Sequence, residues 1–180
     1  MARSKSNPQV ALKPQDLVVL LRLALEPGAA PTYAALANEL GLTASEIHAG
    51  VERATLAQLA RKDQAGKPAV VRAALKLFIQ HGARYVFPAI HGGAMRGLPT
   101  GYAAPPLKDK IVQPNDMPPV WPYKNGEARG LALYPLYPTV PEAAANNPAL
   151  YELLVLFDAI RGGSARERAL AIAMIEERLA

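Results

Sequence analysis

Between residues 99 and 141 the chain carries ten of its 17 prolines, and this feature limits what can be built there more than any other. Each proline removes a backbone donor and its ring clashes with the preceding turn, so regular helix is excluded across the stretch. Trp121, Tyr123, Tyr134 and Tyr137 set it apart from a polar linker. Within it, the KNGE sequence at 124 to 127, between VWPY and ARGLALYPLY, has the asparagine-glycine chemistry of a hairpin turn. The expectation is an ordered, extended strap over residues 105–141, containing a small β-hairpin and lying over helices. Such a strap either covers core surface or lines a ligand pocket or a partner groove.

The segments on either side have helical patterns. After the strap, Asn147 is a cap, Pro148 a helix start, and ALYELLVLFDAIR runs to Gly162 and Gly163. Ser164 and Glu167 then form an S-x-x-E capping box that opens ARERALAIAMIEERLA. Leu150, Tyr151, Leu153, Leu154, Val155, Leu156, Phe157 and Ile160 surround the first of these helices, and a helix apolar all round needs cover on every side. The last helix supplies one side and a second copy of the chain another, so residues 142–180 are expected to form a dimerising helical pair. Before the strap, a helix is expected from Pro14 through PQDLVVLLRLAL, with Leu17, Val18, Leu21, Ala24 and Leu25 on one face and Asp16 and Arg22 off it. EPGAAP at 26 to 31 stops it.

Residues 32–50, TYAALANELGLTASEIHAG, carry the most informative spacing. Tyr33, Leu36, Ala37 and Leu40 recur at helical intervals, and Gly41 is free to take the left-handed conformation that ends a helix sharply. Thr43 and Glu46 make a T-x-x-E capping box for a second helix, whose buried stripe is Ile47, Val51, Ala54 and Leu59. Small Ala37 at the helix crossing, Gly41 in the turn, and Ile47 and Val51 locking the second helix together resemble the helix-turn-helix of bacterial transcriptional regulators, over roughly residues 14–60. Two helices joined through a glycine also occur in many all-α cores.

The resemblance implies that the second helix enters the major groove of duplex DNA, and the residues left for it are Thr43, Ser45, Glu46, His48, Ala49, Glu52 and Arg53. Arg53 is the strongest of these, because a guanidinium holds guanine with two hydrogen bonds. Glu46 and Glu52 have the wrong sign for phosphate, although Glu46 is committed to capping. Further affinity is expected from Arg3, Lys5 and Lys13 in the N-terminal arm and from Arg61, Lys62 and Lys67 just past the second helix. The charge distribution agrees: residues 1–110 hold 14 basic against 7 acidic side chains, and residues 111–180 hold 6 against 8. A basic region of this kind suits a polyanion, whose neutralised phosphates release condensed counterions, and it also serves ordinary solubility.

A further helix is expected from Pro68 to His81, with Val70, Val71, Ala74, Leu75, Phe78 and Ile79 inward and Arg72, Lys76 and Gln80 outward. Residues 83–104 then read as a β-hairpin, with Tyr85, Val86 and Phe87 as strand formers, a glycine-rich loop from His91 to Gly97, and a return over Leu98 to Ala103. A hairpin after a helix-turn-helix resembles the wing of MarR-type winged-helix regulators, which places Arg96 at its tip as a DNA contact. The intervening helix departs from that pattern, where the connection is short.

Chemistry of other kinds finds little support. The chain has no cysteine, and His48, His81 and His91 lie on separate elements without H-x-x-x-H spacing, so neither metal nor cofactor is expected. HGGAMRG lacks the ending of a phosphate loop, no nucleophile elbow occurs, and Ser164 serves as a cap, so no enzymatic activity is expected. Residues 1–14 lack an apolar signal core and no uncharged run is long enough to cross a bilayer, which makes a cytoplasmic location the expectation.

The expected protein is therefore mostly α within an α+β class. Residues 1–104 form a DNA-binding region with a wing-like hairpin, residues 105–141 the strap, and residues 142–180 the C-terminal helices. Its expected function is a sequence-specific, homodimeric regulator of transcription on double-stranded DNA. The alternative is a protein-interaction module, an antitoxin or adaptor, that uses the helix-turn-helix as scaffold and residues 118–138 to hold a protein partner.

Overall fold

The computed structural model describes residues 9–112 and 114–180. Arg3 and Lys5 of the N-terminal arm lie outside these described residues. The fold is α+β, with helices predominating and two small sheets inserted among them.

Helix α1 (Pro14–Ala24) starts at its proline, and the Asp16 carboxylate accepts the Lys13 N–H at 2.8 Å as an N-terminal cap. It is buried from Asp16 through Ala24, because two later helices and a strand all pack around it. Asp16 and Arg22, expected off the apolar face, are therefore inside the protein as well. A helix in the middle of a core has no polar face to offer, so both charges are taken in as ion pairs.

Helix α2 (Tyr33–Leu40) is capped by Thr32, and Gly41 ends it at φ 64°. Helix α3 (Ala44–Leu56) opens on the expected capping box: Thr43 Oγ1 accepts the Glu46 N–H at 3.1 Å, and Glu46 Oε2 accepts the Thr43 N–H at 2.8 Å. Ile47, Val51 and Ala54 of α3, and Leu59 beyond it, lie in the core as their spacing requires.

After α3 the structure departs from expectation. The chain makes an antiparallel hairpin of β1 (Ala60–Lys62) and β2 (Pro68–Val70), and α4 (Arg72–His81) begins only after it, not at Pro68. The Asp63 side chain organises the turn by accepting the N–H groups of Ala65 and Lys67 at 2.9 and 2.8 Å, and Gly66 takes φ 75°. Arg72, expected to point outward, donates to the carbonyl of Ala24 at 2.5 Å and to that of Ala180 at 2.7 Å.

The hairpin expected over residues 83–104 is absent. Ala83–Val86 is a single helical turn, α5, and the glycine-rich stretch is itself a strand, β3 (His91–Pro99). It joins β4 (Pro119–Pro122) and β5 (Ala128–Leu133) in a closed unit where each strand is bonded to the other two. β3 is antiparallel to both, while β4 and β5 run parallel, so the hairpin expected from KNGE is also corrected. The turn at 123–127 crosses over β3 at Gly97 instead of folding β5 back along β4. Close backbone approach explains the composition: a Cβ on Gly97 would overlap the Trp121 carbonyl, and one on Gly130 the Pro118 carbonyl.

The remainder is helical, with α6 (Val140–Asn146), α7 (Pro148–Gly162) and α8 (Ala165–Arg178) in sequence. The apolar circumference of α7 is covered within the chain by α1, α4, α5, α6 and α8. That cover removes the packing reason for a second copy. The β unit is fastened to α7 through Asp158, whose Oδ2 accepts the Thr100 hydroxyl at 2.7 Å and the Trp121 indole N–H at 2.5 Å. Its Oδ1 accepts Arg161 Nε at 2.7 Å, and Arg161 Nη2 donates to the Tyr134 carbonyl at 2.6 Å. One hydrophobic cluster runs from α1 through α3, α4, α6 and α7 to α8 and includes Leu107, Trp121 and Leu136 of the strap.

Candidate nucleic-acid interface

Helix α3 is held by its apolar stripe and by a salt bridge linking it to α1. Arg53 Nε and Nη2 donate to Asp16 Oδ2 and Oδ1 at 2.7 and 2.6 Å, with the Arg53 side chain only 15% exposed and Asp16 fully covered. Gly50 permits the approach, since a Cβ there would lie 2.9 Å from Asp16 Oδ1. The hydrogen bond to Asp16 raises the Arg53 guanidinium above its usual value. Arg53 was expected to reach a base edge, but its donors Nε and Nη2 are turned inward to a buried carboxylate. Arg53 thus serves the packing of α3 on α1 and not a base contact.

What α3 presents to solvent is its first two turns. Thr43, Ala44, Ser45 and His48 are exposed, and Ala49 is half-buried beside them. The Thr43 hydroxyl donates to Glu46 Oε2 at 2.9 Å as well as capping the helix, which leaves Ser45 and His48 as the freer polar groups. The His48 ring stands edge-on to Tyr33 of α2, with centroids 5.7 Å apart. Both acids of this face are tied up locally. The Thr43 backbone N–H, followed by its hydroxyl, holds the Glu46 carboxyl below the usual carboxylate range, and Glu52 Oε1 lies 3.6 Å from Lys62 Nζ.

That last contact joins α3 to the hairpin. Only residues 57–59 separate α3 from β1, and Arg61, Lys62 and Lys67 are all exposed on the β1–β2 ribbon, with Gln64, Ala65 and Gly66 at its tip. RKDQAGK was legible as a basic tract. The hairpin itself was signalled by Asp63 three residues before Gly66, a turn pattern overlooked beside a helix start at Pro68.

Arg96 stands elsewhere. It is exposed in the interior of β3, directly opposite Arg129 of β5, and not at the tip of a hairpin. Strand β3 is part of the closed unit that is hydrogen-bonded to α7, Trp121 donating to Asp158 and Tyr151 to the Pro99 carbonyl, so Arg96 is no wing-tip residue.

Charges near the other end of α2 serve the fold. Arg22 Nε donates to Glu39 Oε1 at 2.7 Å, and Asn147 Nδ2, from the cap of α7, donates to the same oxygen at 2.7 Å. Burial works against ionised Glu39, but the hydrogen bonds from Arg22 and Asn147 overcome it and leave its carboxyl below the usual range. Among the described residues, no group of three or more histidine, aspartate or glutamate side chains is placed to hold a metal ion, and no helix is long and apolar enough to cross a membrane.

Compared with known proteins, the chain matches no family model, no curated protein and no solved structure.

Proposed function

We propose that this chain is a winged-helix DNA-binding protein, similar in plan to MarR-type regulators, in which α3 enters the major groove and the β1–β2 hairpin is the wing. The observation that carries the reading is the hairpin that follows α3 after a short connection and displays Arg61, Lys62 and Lys67. Those cations neutralise backbone phosphates, while Ser45, His48 and Ala49, near the capped end of α3, face base edges. The dipole of α3 adds to this, because a helix N-terminus favours phosphate. A two-fold dimer on a pseudo-palindromic site, acting in transcription, completes the proposal. Titration of duplex from the region upstream of its own coding sequence against random duplex tests it. Tighter binding to the upstream duplex supports sequence-specific recognition, and equal affinities overturn it.

A second reading rests on a different surface. Ile90, 59% exposed, lines a groove with Val86, Phe87, Tyr134, Pro135 and Leu136, and Tyr85, 76% exposed, is next to Val86 in the chain. An apolar exposed group of this kind suits a protein partner. A stable complex with a second protein, in the absence of any affinity for duplex DNA, would favour that function over the first.

A further inference from the structure

Arg96 of β3 and Arg129 of β5 are register partners in an antiparallel pair. Partners of this kind project from the same face of a sheet with Cβ atoms about 5 Å apart, and like charges so placed destabilise the sheet. Both side chains are exposed, and neither takes part in an ion pair among the described residues. They line a shallow groove with Ala94, Met95, Glu127 and Ala128. Lys124 is exposed on the turn that crosses β3 at the neighbouring Gly97 and adds a third cation at this end of the β unit.

We infer that the Arg96–Arg129 pair is a second anion site that takes a phosphodiester group of a nucleic-acid backbone. A phosphate between two guanidiniums accepts charge-assisted hydrogen bonds from both and turns their repulsion into attraction to a shared ligand. Arginine suits this role better than lysine, since its planar fork engages two phosphate oxygens at once. Ala94, two residues from Arg96 and on the same face of the strand, is small and exposed, so a polymer backbone can come close. The site offers charge without base-reading groups, and its contribution is independent of sequence.

The choice of ligand rests on the proposed DNA-binding function, and the test separates the two. A labelled random-sequence duplex is titrated at several salt concentrations into the wild type, the double variant Arg96→Gln/Arg129→Gln, its counterpart Arg96→Lys/Arg129→Lys, and the hairpin variant Lys62→Gln/Lys67→Gln. Thermal melting of each verifies the fold. The glutamine pair is expected to weaken binding and to flatten the salt dependence by about one unit of log–log slope per arginine, with the lysine pair retaining the slope. Glu127→Gln is expected to tighten binding. Unchanged affinity and slope in the glutamine pair, while the hairpin variant weakens, overturns the inference and leaves the hairpin reading standing. Weakening by the glutamine pair with no effect of the hairpin variant upholds this site and overturns the hairpin as the wing. A wild type that binds no duplex at any salt concentration overturns both.

Discussion

Arg53 and Asp16, 37 residues apart, form a two-pronged ion pair that locks the proposed recognition helix to the central helix of the core. Removing one partner leaves the other charge buried without compensation, and the same Asp16 carboxylate also caps α1. Arg53→Ala is expected to lower the stability measured by urea unfolding by about 3 kcal/mol. A double-mutant cycle with Asp16→Ala should return a coupling well above the 0.5 kcal/mol or so of independent sites. An Arg53→Ala protein of wild-type stability would contradict the pairing.

The fastening of the β unit depends in the same way on Asp158, which gathers Thr100, Trp121 and Arg161. Thr100→Val removes one neutral donor and is expected to cost about 1 kcal/mol. Asp158→Ala leaves the almost fully buried Arg161 without its carboxylate and is expected to cost about 3–5 kcal/mol. Equal losses in the two variants, measured by chemical denaturation, would show that the network is not organised around the carboxylate.

Gly97→Ala tests the close approach of β4 to β3 at Trp121, where a Cβ meets main chain and not a flexible side chain. The expected loss is at least the roughly 1–3 kcal/mol typical of overpacking. Gly93→Ala, in open space on the same strand, is the control and is expected to be close to neutral. Hydrogen exchange at β3 and β5 amides distinguishes a local opening of the unit from global unfolding.

Arg53 and Gly97 also mark where long-range contacts took over from the local signals of the sequence. Local devices were plain: Thr43 with Glu46, Gly41 after α2, Asn147 before α7, and Ser164 with Glu167 each act within a few residues and appear in the structure at the places their spacing required. The strand at His91–Pro99 was hidden because Gly97 answers to contacts with Trp121 and Val120 and Gly92 to Ala132 and Tyr134, all distant in sequence, while intrinsic propensity marks such a stretch as loop. Tyr85 and Val86 were misread for the converse reason, since strand-forming residues there occupy a single turn of helix. Arg53 looked available because Asp16 lies a helix and two turns away, and a long-range partner leaves no trace in periodicity.

Acid should act on the junction of α1, α2 and α7 through Glu39. Its folded carboxyl titrates below the usual value, so the stability it contributes is fully present above about pH 5 and is lost as pH falls from the unfolded carboxylate range through the lower folded one. Glu39→Gln is expected to flatten the stability–pH curve below about pH 5 and to leave the slope near neutrality unchanged. An unaltered acid limb in that variant would mean that the pairing with Arg22 and Asn147 does not contribute to the native state.

The contact of α3 and the β1–β2 hairpin with duplex DNA is tested most directly by the salt dependence of binding in a hairpin variant. Arg61→Gln/Lys62→Gln/Lys67→Gln alters only exposed side chains, so its melting temperature should stay near that of the wild type. Affinity for duplex DNA is expected to fall, and the log–log salt slope to shrink by about one unit for each cation that had neutralised a phosphate, up to about three. A folded variant that keeps the wild-type affinity and slope would contradict the winged-helix account.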